Sequence, residues 1–489
     1  MKTSDRQGGS ARWWALGVIG LAQLMVVLDA TIVTISLPFA QRDLGISDGN
    51  KQWMVTAYTL IFGGLLLLGG RLADYLGRRN IFITGLVGFA AASALAGLAQ
   101  NGAEMFVGRG LQGAFAALLA PAALSLLSVT FTEPQERARA FGVFAGISAG
   151  GAALGLIAGG ALTEYASWRW CLLVNTPVAL LALIGALLFV VKDVPAPRTG
   201  GYDVPGAVTV TLGLVAVVYG FSRAAEDGWL AATTLGFLIS GAALLLAFVA
   251  IERRSANPLL PLHIPGEINR GGAYLSALLL PIAMFAMFLF LSYYFQVTLG
   301  YSSLKAGIAF LPFPAGIAIS AGVSSALLPK IGPRPLMIAG AVLGTIGLLW
   351  LARLGYGDGY ATVVLPAEAL IALGMGPLFV SMQTVALHQV EAKDSGVASA
   401  LLNAGQQVGG AVGTALLTTI SVQAQKSYLT GHQGLDNLFA RAAIHSYDVA
   451  FYIGAGFFVA AIPVIALMIR DRPRNLIEGD AEQLVAVGV

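Results

Sequence analysis

The sequence predicts an all-α integral membrane protein of fourteen spans, arranged as six helices, two accessory helices and six more. Three observations carry that prediction. The chain has 489 residues, of which 57% are hydrophobic and 11% charged, whereas a soluble globular chain carries about 25% charged residues. Apolar runs recur along its whole length, long enough for the roughly 20 residues a bilayer-spanning helix needs. The chain also repeats itself. Gly77, Arg79 and Gly85 return as Gly332, Arg334 and Gly340 after 255 residues, and Gly142, Gly151, Gly155 and Gly159 return as Gly396, Gly405, Gly409 and Gly413 after 254. A transmembrane barrel would instead alternate over segments of about ten residues.

The spans fall near 13–37, 53–70, 81–99, 104–130, 140–164, 170–191, 206–222, 232–251, 273–297, 304–328, 335–353, 361–380, 397–421 and 448–470. The repeat assigns residues 1–200 to one six-helix bundle and 257–489 to another, leaving 201–256 for two accessory helices. Lys2, Arg6 and Arg12 before Trp13 and Trp14 look like the start of a signal peptide. The apolar run that follows is too long and has no small-residue cleavage site, so it is read as a retained first span. An even count puts both termini on one side. If that side is the cytoplasm, 19 of the 28 Lys and Arg lie in cytoplasmic segments, 8 lie outside and Arg109 lies within a span. The positive-inside rule therefore predicts cytoplasmic termini.

Along the chain, the first residue that needs explaining is Asp29, a lone carboxylate in an apolar run of the first span. A charge at the bilayer centre costs about 2.5–3.5 kcal/mol on insertion scales. At 1.5 Å per residue Asp29 sits roughly 13 Å inside the outer end of its helix, and Arg109 roughly 8 Å inside the outer end of the fourth span. Equal depth and opposite sign make them partners. An opposite charge favours an ionised carboxylate, and separation in a dry setting favours uptake of a proton. Such a pair serves either as a proton-coupled switch or as a static tie between two helices. Gln112, at i+3 from Arg109, shares its face, and Gly113 admits a neighbouring helix.

The segment after the second span reads Gly70-Arg71-Leu72-Ala73-Asp74-Tyr75-Leu76-Gly77-Arg78-Arg79. Its glycines allow a tight reversal, and Asp74 can cap a helix or pair with an arginine. The fifth span carries Gly151, Gly155, Gly159 and Gly160, a stripe suited to close helix packing. The ninth ends in Tyr293 and Tyr294 after a run of Met and Phe, a composition that makes adaptable contact surfaces. Glu368 lies in the twelfth span, where it is a second proton site, an anionic contact for a cationic substrate, or a carboxylate at the outer headgroups. Asn403, Gln406 and Gln407 place three amides in the thirteenth, as wall of a substrate cavity or as bonds to neighbouring helices.

The segment from Gly70 to Arg79 resembles the loop signature of the major facilitator superfamily. The surroundings of Asp29, the Trp53/Tyr58 pair, Trp168-Arg169-Trp170, and Ser395-Gly396 leading to Asn403, Gln406, Gln407 and Gly409 are similar to its fourteen-helix drug:proton antiporters. The resemblance covers essentially the whole chain, most firmly the first half. It implies the major facilitator fold, two bundles rocking about a central cavity. It also implies export of amphipathic, often cationic drugs or antibiotics in exchange for protons, with no cofactor beyond the proton gradient. Asp74 is then a cytoplasmic latch with Arg78 and Arg79 as ionic partners. Read from the residues themselves, Asp29, Arg109 and Glu368 are the candidates for proton coupling, and Gln112, Tyr293, Tyr294 and the three amides are cavity candidates. The sequence departs from the family at Leu156, where the antiporter signature has a proline.

Other classes lack their motifs. No Gly-x-x-x-x-Gly-Lys-Ser/Thr loop, His-Glu-x-x-His or Gly-x-Ser-x-Gly occurs, which removes the usual signatures of an ATPase, a zinc protease and a serine hydrolase. A formal charge of +3 does not point to nucleic acid, and the single Cys171 gives no disulfide framework. The expected partners are a small amphipathic substrate, protons and the bilayer, with the protein acting as a monomer. Arginine outnumbers lysine 21 to 7, a bias typical of GC-rich bacteria, so the expected location is a bacterial cytoplasmic membrane. A proton-coupled importer or exporter of one metabolite or siderophore is the alternative on the same scaffold.

Overall fold

A backbone amide left unpaired in hydrocarbon costs several kcal/mol, so a spanning segment must close its own hydrogen bonds. The computed structural model describes residues 9–131, 133–191, 203–391, 394–433 and 436–470, and in it every predicted span is a helix. They are α1 (Gly9–Asp43), α2 (Trp53–Leu76), α3 (Arg78–Gly97), α4 (Gly102–Thr130) and α5 (Pro134–Tyr165). After a short helix, Trp170–Leu173, comes α6 (Asn175–Phe189), followed by α7 (Val204–Asp227) and α8 (Ala232–Arg254). Next are α9 (Ile268–Tyr293), which ends in a π-turn at Tyr294–Thr298, and α10 (Pro312–Ile331), preceded by Ser303–Ala309. The last four are α11 (Pro333–Leu351), α12 (Leu365–Leu387) after a π-turn at Tyr360–Val364, α13 (Ser395–Gly431) and α14 (Leu438–Met468).

Several helices outrun their predicted spans. The fifth, read as 140–164, starts at Pro134, and the last, read as 448–470, starts at Leu438. Polar end turns interrupt an apolar run without breaking a helix. The predicted loop from Gly70 to Arg79 contracts to a single residue, because α2 continues to Leu76 and α3 starts at Arg78. Gly77 makes that break with φ of 93°, and its repeat counterpart Gly332 does the same between α10 and α11 with φ of 81°. Residues with a Cβ rarely adopt such a φ.

Among the described residues, thirteen helices are long and apolar enough to cross a membrane by composition alone; α13 is not one of them. Three polar side chains in its far half are satisfied by the accessory hairpin. Thr419, Gln423 and Lys426 donate to the carbonyls of Phe221, Ala224 and Ala225 at 2.7, 2.9 and 3.2 Å. Those carbonyls lie in the last turns of α7, which packs on α13 and α2 while pairing with α8. The accessory hairpin thus shields a helix too polar for lipid.

The remaining helices pack as α1–α6 and α9–α14. We call the side where α1 begins and α14 ends the near face, and the opposite side the far face. Toward the near face, α1, α3, α4 and α6 enclose a core of their own, including Ile19, Phe82, Leu127 and Phe131. Toward the far face, Ile32, Ile35 and Leu37 of α1 join one continuous core with Leu280, Phe290 and Phe295 of the second bundle. The bundles are therefore fused by apolar packing at the far face and hold separate cores toward the near face.

At the start of α9, the Glu267 carboxylate accepts from the amides of Asn269 and Arg270 at 3.0 and 2.8 Å. Burial pushes this carboxyl upward, but the two amides and the Arg270 charge outweigh it and hold it below its ordinary value. A depressed folded-state value stabilises above the unfolded value of about 4.3 and loses that contribution as pH falls through it. Glu267→Ala is expected to cost about 1 kcal/mol in thermal unfolding at neutral pH, and progressively less below pH about 4.

Candidate functional site

Asp29 on α1 and Arg109 on α4 meet as an ion pair, with 2.6 Å between Arg109 Nη1 and Asp29 Oδ2. The carboxylate also accepts from Gln112 Nε2 at 3.0 Å and from Asn175 Nδ2 at 2.6 Å. Arg109 donates further to Gln112 Oε1 at 2.9 Å and from Nε to the Met54 carbonyl at 2.8 Å. Its guanidinium lies 4.5 Å from the centroid of the Tyr58 ring. Ser93 closes the cluster, accepting from Gln112 and Asn175 at 2.9 and 3.1 Å and donating to the Leu172 carbonyl at 2.8 Å. Asp29 and Gln112 are 0% exposed and Arg109 is 1% exposed.

Local sequence explains how these groups converge. Arg109 and Gln112 are one helical turn apart, so they face the same way. A Cβ on Gly113 would fall 2.3 Å from the Tyr58 carbonyl oxygen, so only glycine lets α4 approach α2 closely enough to place Met54 and Tyr58 around the guanidinium. Asn175 stands at the start of α6, whose first turn delivers its amide to Asp29.

The sequence reading anticipated Asp29, Arg109 and Gln112 and missed Ser93 and Asn175. Each of the missed pair is a single polar residue beside an apolar run. The signal that finds them is the need of a buried hydroxyl or amide for a partner. Asn175 precedes Thr176 and Pro177 and reads as a helix start, which hid it. Tyr58 was noted as part of a resemblance and acquires a position against the arginine.

Glu368 sits in the other bundle, in the first turn of α12, and is 0% exposed. The Tyr360 hydroxyl beside it donates to the Ala309 carbonyl at 2.8 Å and is the polar neighbour of the carboxyl. Of the latch residues, Gly70 lies in α2, Gly77 ends it, Arg78 opens α3, and Arg79 donates to the Leu187 carbonyl at 3.0 Å. Arg71 donates to the Pro258 carbonyl at 3.2 Å, tying α2 to the segment after α8. The Asp74 side chain lies outside the described residues.

The glycine stripe divides its work. A Cβ on Gly151 would meet Leu24 and Val27 at 3.1 and 3.3 Å, one on Gly155 would meet Thr31 Oγ1 at 2.0 Å, and one on Gly159 would meet the Ile32 carbonyl at 2.7 Å, all on α1. Gly160 faces the other bundle, where a Cβ would lie 2.7 Å from the Ser303 carbonyl. Leu156 belongs to the same contact, since its carbonyl would sit 2.3 Å from a Cβ on Gly307. The repeat holds in space as in sequence: a Cβ on Gly409 or Gly413 would strike Leu278 or Ile282 of α9. The second bundle thus packs α13 on α9 as the first packs α5 on α1.

Asn403 is exposed and donates to Ser399 of its own helix at 3.0 Å. Gln406 and Gln407 are half-buried, with Gln407 at the seam between α13 and α2, 3.0 Å from where a Cβ on Gly63 would stand. The two tyrosines part company. Tyr294 turns into the second bundle and donates to the Asp358 carbonyl at 3.2 Å. Tyr293 stands at the far face, where its hydroxyl donates to Gln41 Oε1 and the Lys51 ammonium lies 4.2 Å from its ring centroid.

Tyr293 and Lys51 belong to a clasp between the bundles. Ser292 donates to the Thr34 carbonyl at 2.7 Å, Gln296 to the Ile35 carbonyl at 3.0 Å, and the Leu304 amide to Glu164 at 2.8 Å. Burial pushes the Lys51 ammonium below the ordinary lysine range, and the Asp48 carboxylate 3.1 Å away pulls it back up. Above the clasp opens a cavity of about 730 Å³ bordered by Arg42, Asp48, Tyr356, Gln425 and Tyr447.

Residues 19–414 match the Major Facilitator Superfamily. The chain is 46% identical over 464 residues to the puromycin resistance protein pur8 of Streptomyces alboniger, covering 94% of this chain and 92% of that protein. It is 35% identical to the cephamycin export protein CmcT of Amycolatopsis lactamdurans, over 97% of each chain. It is 32% identical to the multidrug efflux pump LfrA of Mycolicibacterium smegmatis, over 91% of this chain and 87% of that one. In fold it is similar to the peptide transporter POT in complex with sulfate, with a TM-score of 0.66 at 16% identity over 93% and 96% of the two chains. With its long apolar helices, its two packed bundles and an ion pair buried within the first of them, the chain is a multi-pass membrane protein belonging to the major facilitator superfamily.

Proposed function

We propose that this protein exports amphipathic, often cationic antibiotics or drugs from the cytoplasm in exchange for protons, by alternating access, with both termini cytoplasmic. The observation that carries the proton coupling is the Asp29–Arg109 pair, ringed by neutral donors and sealed from water. An intramembrane ionisable pair is costly to keep, and this one joins α1 to α4 and α6. Asp29 lies five residues from Thr34, whose carbonyl holds Ser292 of the other bundle. One helix therefore links the titrating carboxylate to the clasp.

In the conformation described, the far face is clasped. Drug bound from the cytoplasm drives α1 along the glycine stripe of α5, withdrawing Thr34, Ile35 and Gln41 from α9, and leaves through the outer cavity. Asp29 then takes up a proton from outside, which removes the charge that holds Arg109 and leaves α1 tied to α4 and α6 only by neutral hydrogen bonds, roughly half as strong. The protonated form returns to the clasped conformation, where release of the proton inward restores the pair. Arg71, Asp74, Arg78 and Arg79 act as the cytoplasmic latch, with the accessory hairpin tethered to it through Pro258. A puromycin resistance protein at 46% identity and a cephamycin export protein at 35% support the substrate class. Both bundles lie in one chain, so a monomer suffices.

The test is transport in proteoliposomes with an imposed pH gradient, using a fluorescent lipophilic cation and, separately, puromycin. Gradient-driven accumulation that collapses with a protonophore is the expected result. Movement indifferent to the gradient would overturn proton coupling, and no movement of either probe in folded protein would overturn the substrate class.

A further inference from the structure

The floor of the far-face cavity carries a charge that the transport cycle leaves unused. Lys51 lies on the turn between α1 and α2, its side chain only 12% exposed. Its ammonium donates to Asp48 Oδ1 at 3.1 Å and stands 4.2 Å from the centroid of the Tyr293 ring at the end of α9. A lysine that only closes a surface ion pair keeps its head in water; this one has exchanged water for one carboxylate and one aromatic face. Carboxylate and ring do not depend on Lys51 to stay together. Gln41, near the end of α1, donates to the same Asp48 oxygen at 2.9 Å and accepts from the Tyr293 hydroxyl.

A carboxylate beside a ring face is a receptor for an organic cation, since the face of an aromatic ring attracts ammonium groups and rings gathered about a charge hold quaternary ammonium ligands. The walls add Tyr356, Phe439 and Tyr447, and the cavity of about 730 Å³ is of the size that takes drug-sized molecules. Cations of the protein itself now fill it. Lys51 covers Tyr293, Arg441 of α14 stands 5.4 Å from the Tyr356 ring centroid, and Arg42 borders the cavity. Of these, Lys51 is the one built to leave. A lysine carries a compact, strongly hydrated charge on a flexible four-carbon stem, and burial already pushes this ammonium below the ordinary lysine range, against the pull of Asp48.

Resting on the exporter reading above, we propose that the Tyr293 ring, with the Asp48 carboxylate beside it, is an exit subsite for the cationic group of the drug, and that Lys51 is its tethered competitor. On its way out the drug's cation takes the ring from Lys51, whose ammonium swings into water. As the clasp re-forms, Gln41 and Asp48 bring Lys51 back to the ring and the drug is expelled outward. The same occupancy keeps external cations off the clasped protein, so rebinding does not undo export.

The experiment measures binding of benzyltrimethylammonium, a permanently charged and impermeant ion, added only outside sealed proteoliposomes whose far face looks outward. Wild type is expected to bind it weakly and Lys51→Met roughly tenfold more tightly, the scale of one desolvated cation–ring contact. Lys51→Arg keeps a competitor and should bind like wild type. Lys51→Met/Tyr293→Leu and Lys51→Met/Asp48→Asn should lose the gain. Equal affinity in wild type and Lys51→Met overturns the proposal, and so does a gain that survives loss of Tyr293, which is relief of repulsion alone. If Lys51→Met does not fold, wild type decides. Raising the pH from about 7 to about 10 discharges a lysine held below its ordinary value of about 10.4; the charged or titratable groups around it are Asp48, Arg42, Tyr293 and Tyr447. Affinity should then rise in wild type and stay level in Lys51→Arg, and a level wild-type profile overturns the proposal. Binding needs no gradient, so failure of the exporter reading in the transport assay would leave these results unchanged.

Discussion

Asp29→Asn is expected to abolish gradient-driven accumulation of drug while leaving drug binding measurable. Asparagine keeps the size of the side chain and an oxygen to accept from Arg109, Gln112 or Asn175, so the cluster's shape survives. Its charge and its titration do not. Coupling free energies between two bound species run to about 1–3 kcal/mol, or roughly 5–150-fold, which is the size of the wild-type accumulation that the variant should lose. Stability should fall too, because removing one partner of a buried pair leaves the other charge uncompensated, typically at about 3–5 kcal/mol. The double variant Asp29→Asn/Arg109→Gln separates these effects. It removes the orphaned cation, so melting should recover toward wild type while accumulation stays lost. If Asp29→Asn accumulates drug at the wild-type ratio, Asp29 is a structural tie and proton coupling lies elsewhere.

Gly113→Ala should be strongly damaging for so small a change, because it acts on stability and on the ion pair together. The added Cβ would sit 2.3 Å from the Tyr58 carbonyl oxygen and 3.1 Å from the Phe62 nitrogen. Both are backbone atoms of α2 and cannot rotate away, so the helices must separate. Overpacking of this kind costs about 1–3 kcal/mol. Here it also moves Tyr58 and Met54, which hold Arg109, so transport should fall together with melting temperature. Gly142→Ala and Gly146→Ala are the controls. Nothing lies within 4 Å of a Cβ at either position, and replacing glycine within a helix favours the folded state by about 0.5–1 kcal/mol. A Gly113→Ala variant that melts and transports like these controls would mean that α2 and α4 are not held as closely as their glycines indicate.

Much of the fold is legible in the residues. Runs of apolar side chains must become helices because lipid offers the backbone no other partner, and the two glycine series related by 254 and 255 residues reveal the duplicated bundle. The thirteenth span, read at 397–421, was legible as a helix but its partners were not. They are α7 carbonyls about 200 residues away, and no local pattern announces them. Helix ends were not legible: the second span was read to 70 and the third from 81, whereas Gly77 alone, with positive φ, parts α2 from α3.

The candidate site divides in the same way. Charge in an apolar run marks itself, so Asp29 and Arg109 were evident, and helical spacing added Gln112. Ser93 and Asn175 were hidden, since a lone hydroxyl or amide carries no sign of its partner until the helices are placed together. The fate of Glu368 is the sharpest case. In sequence it is one carboxylate near a span end, open to several readings; only tertiary packing encloses it in protein with the Tyr360 hydroxyl as its polar neighbour. Sequence by itself therefore determined an all-helical membrane protein with a repeated glycine pattern and two opposite charges at like depth, because hydropathy, charge and spacing are local properties. Tertiary structure alone decided which polar groups complete that pair, where the bundles clasp, and how Glu368 is enclosed, because those depend on contacts between residues tens to hundreds of positions apart.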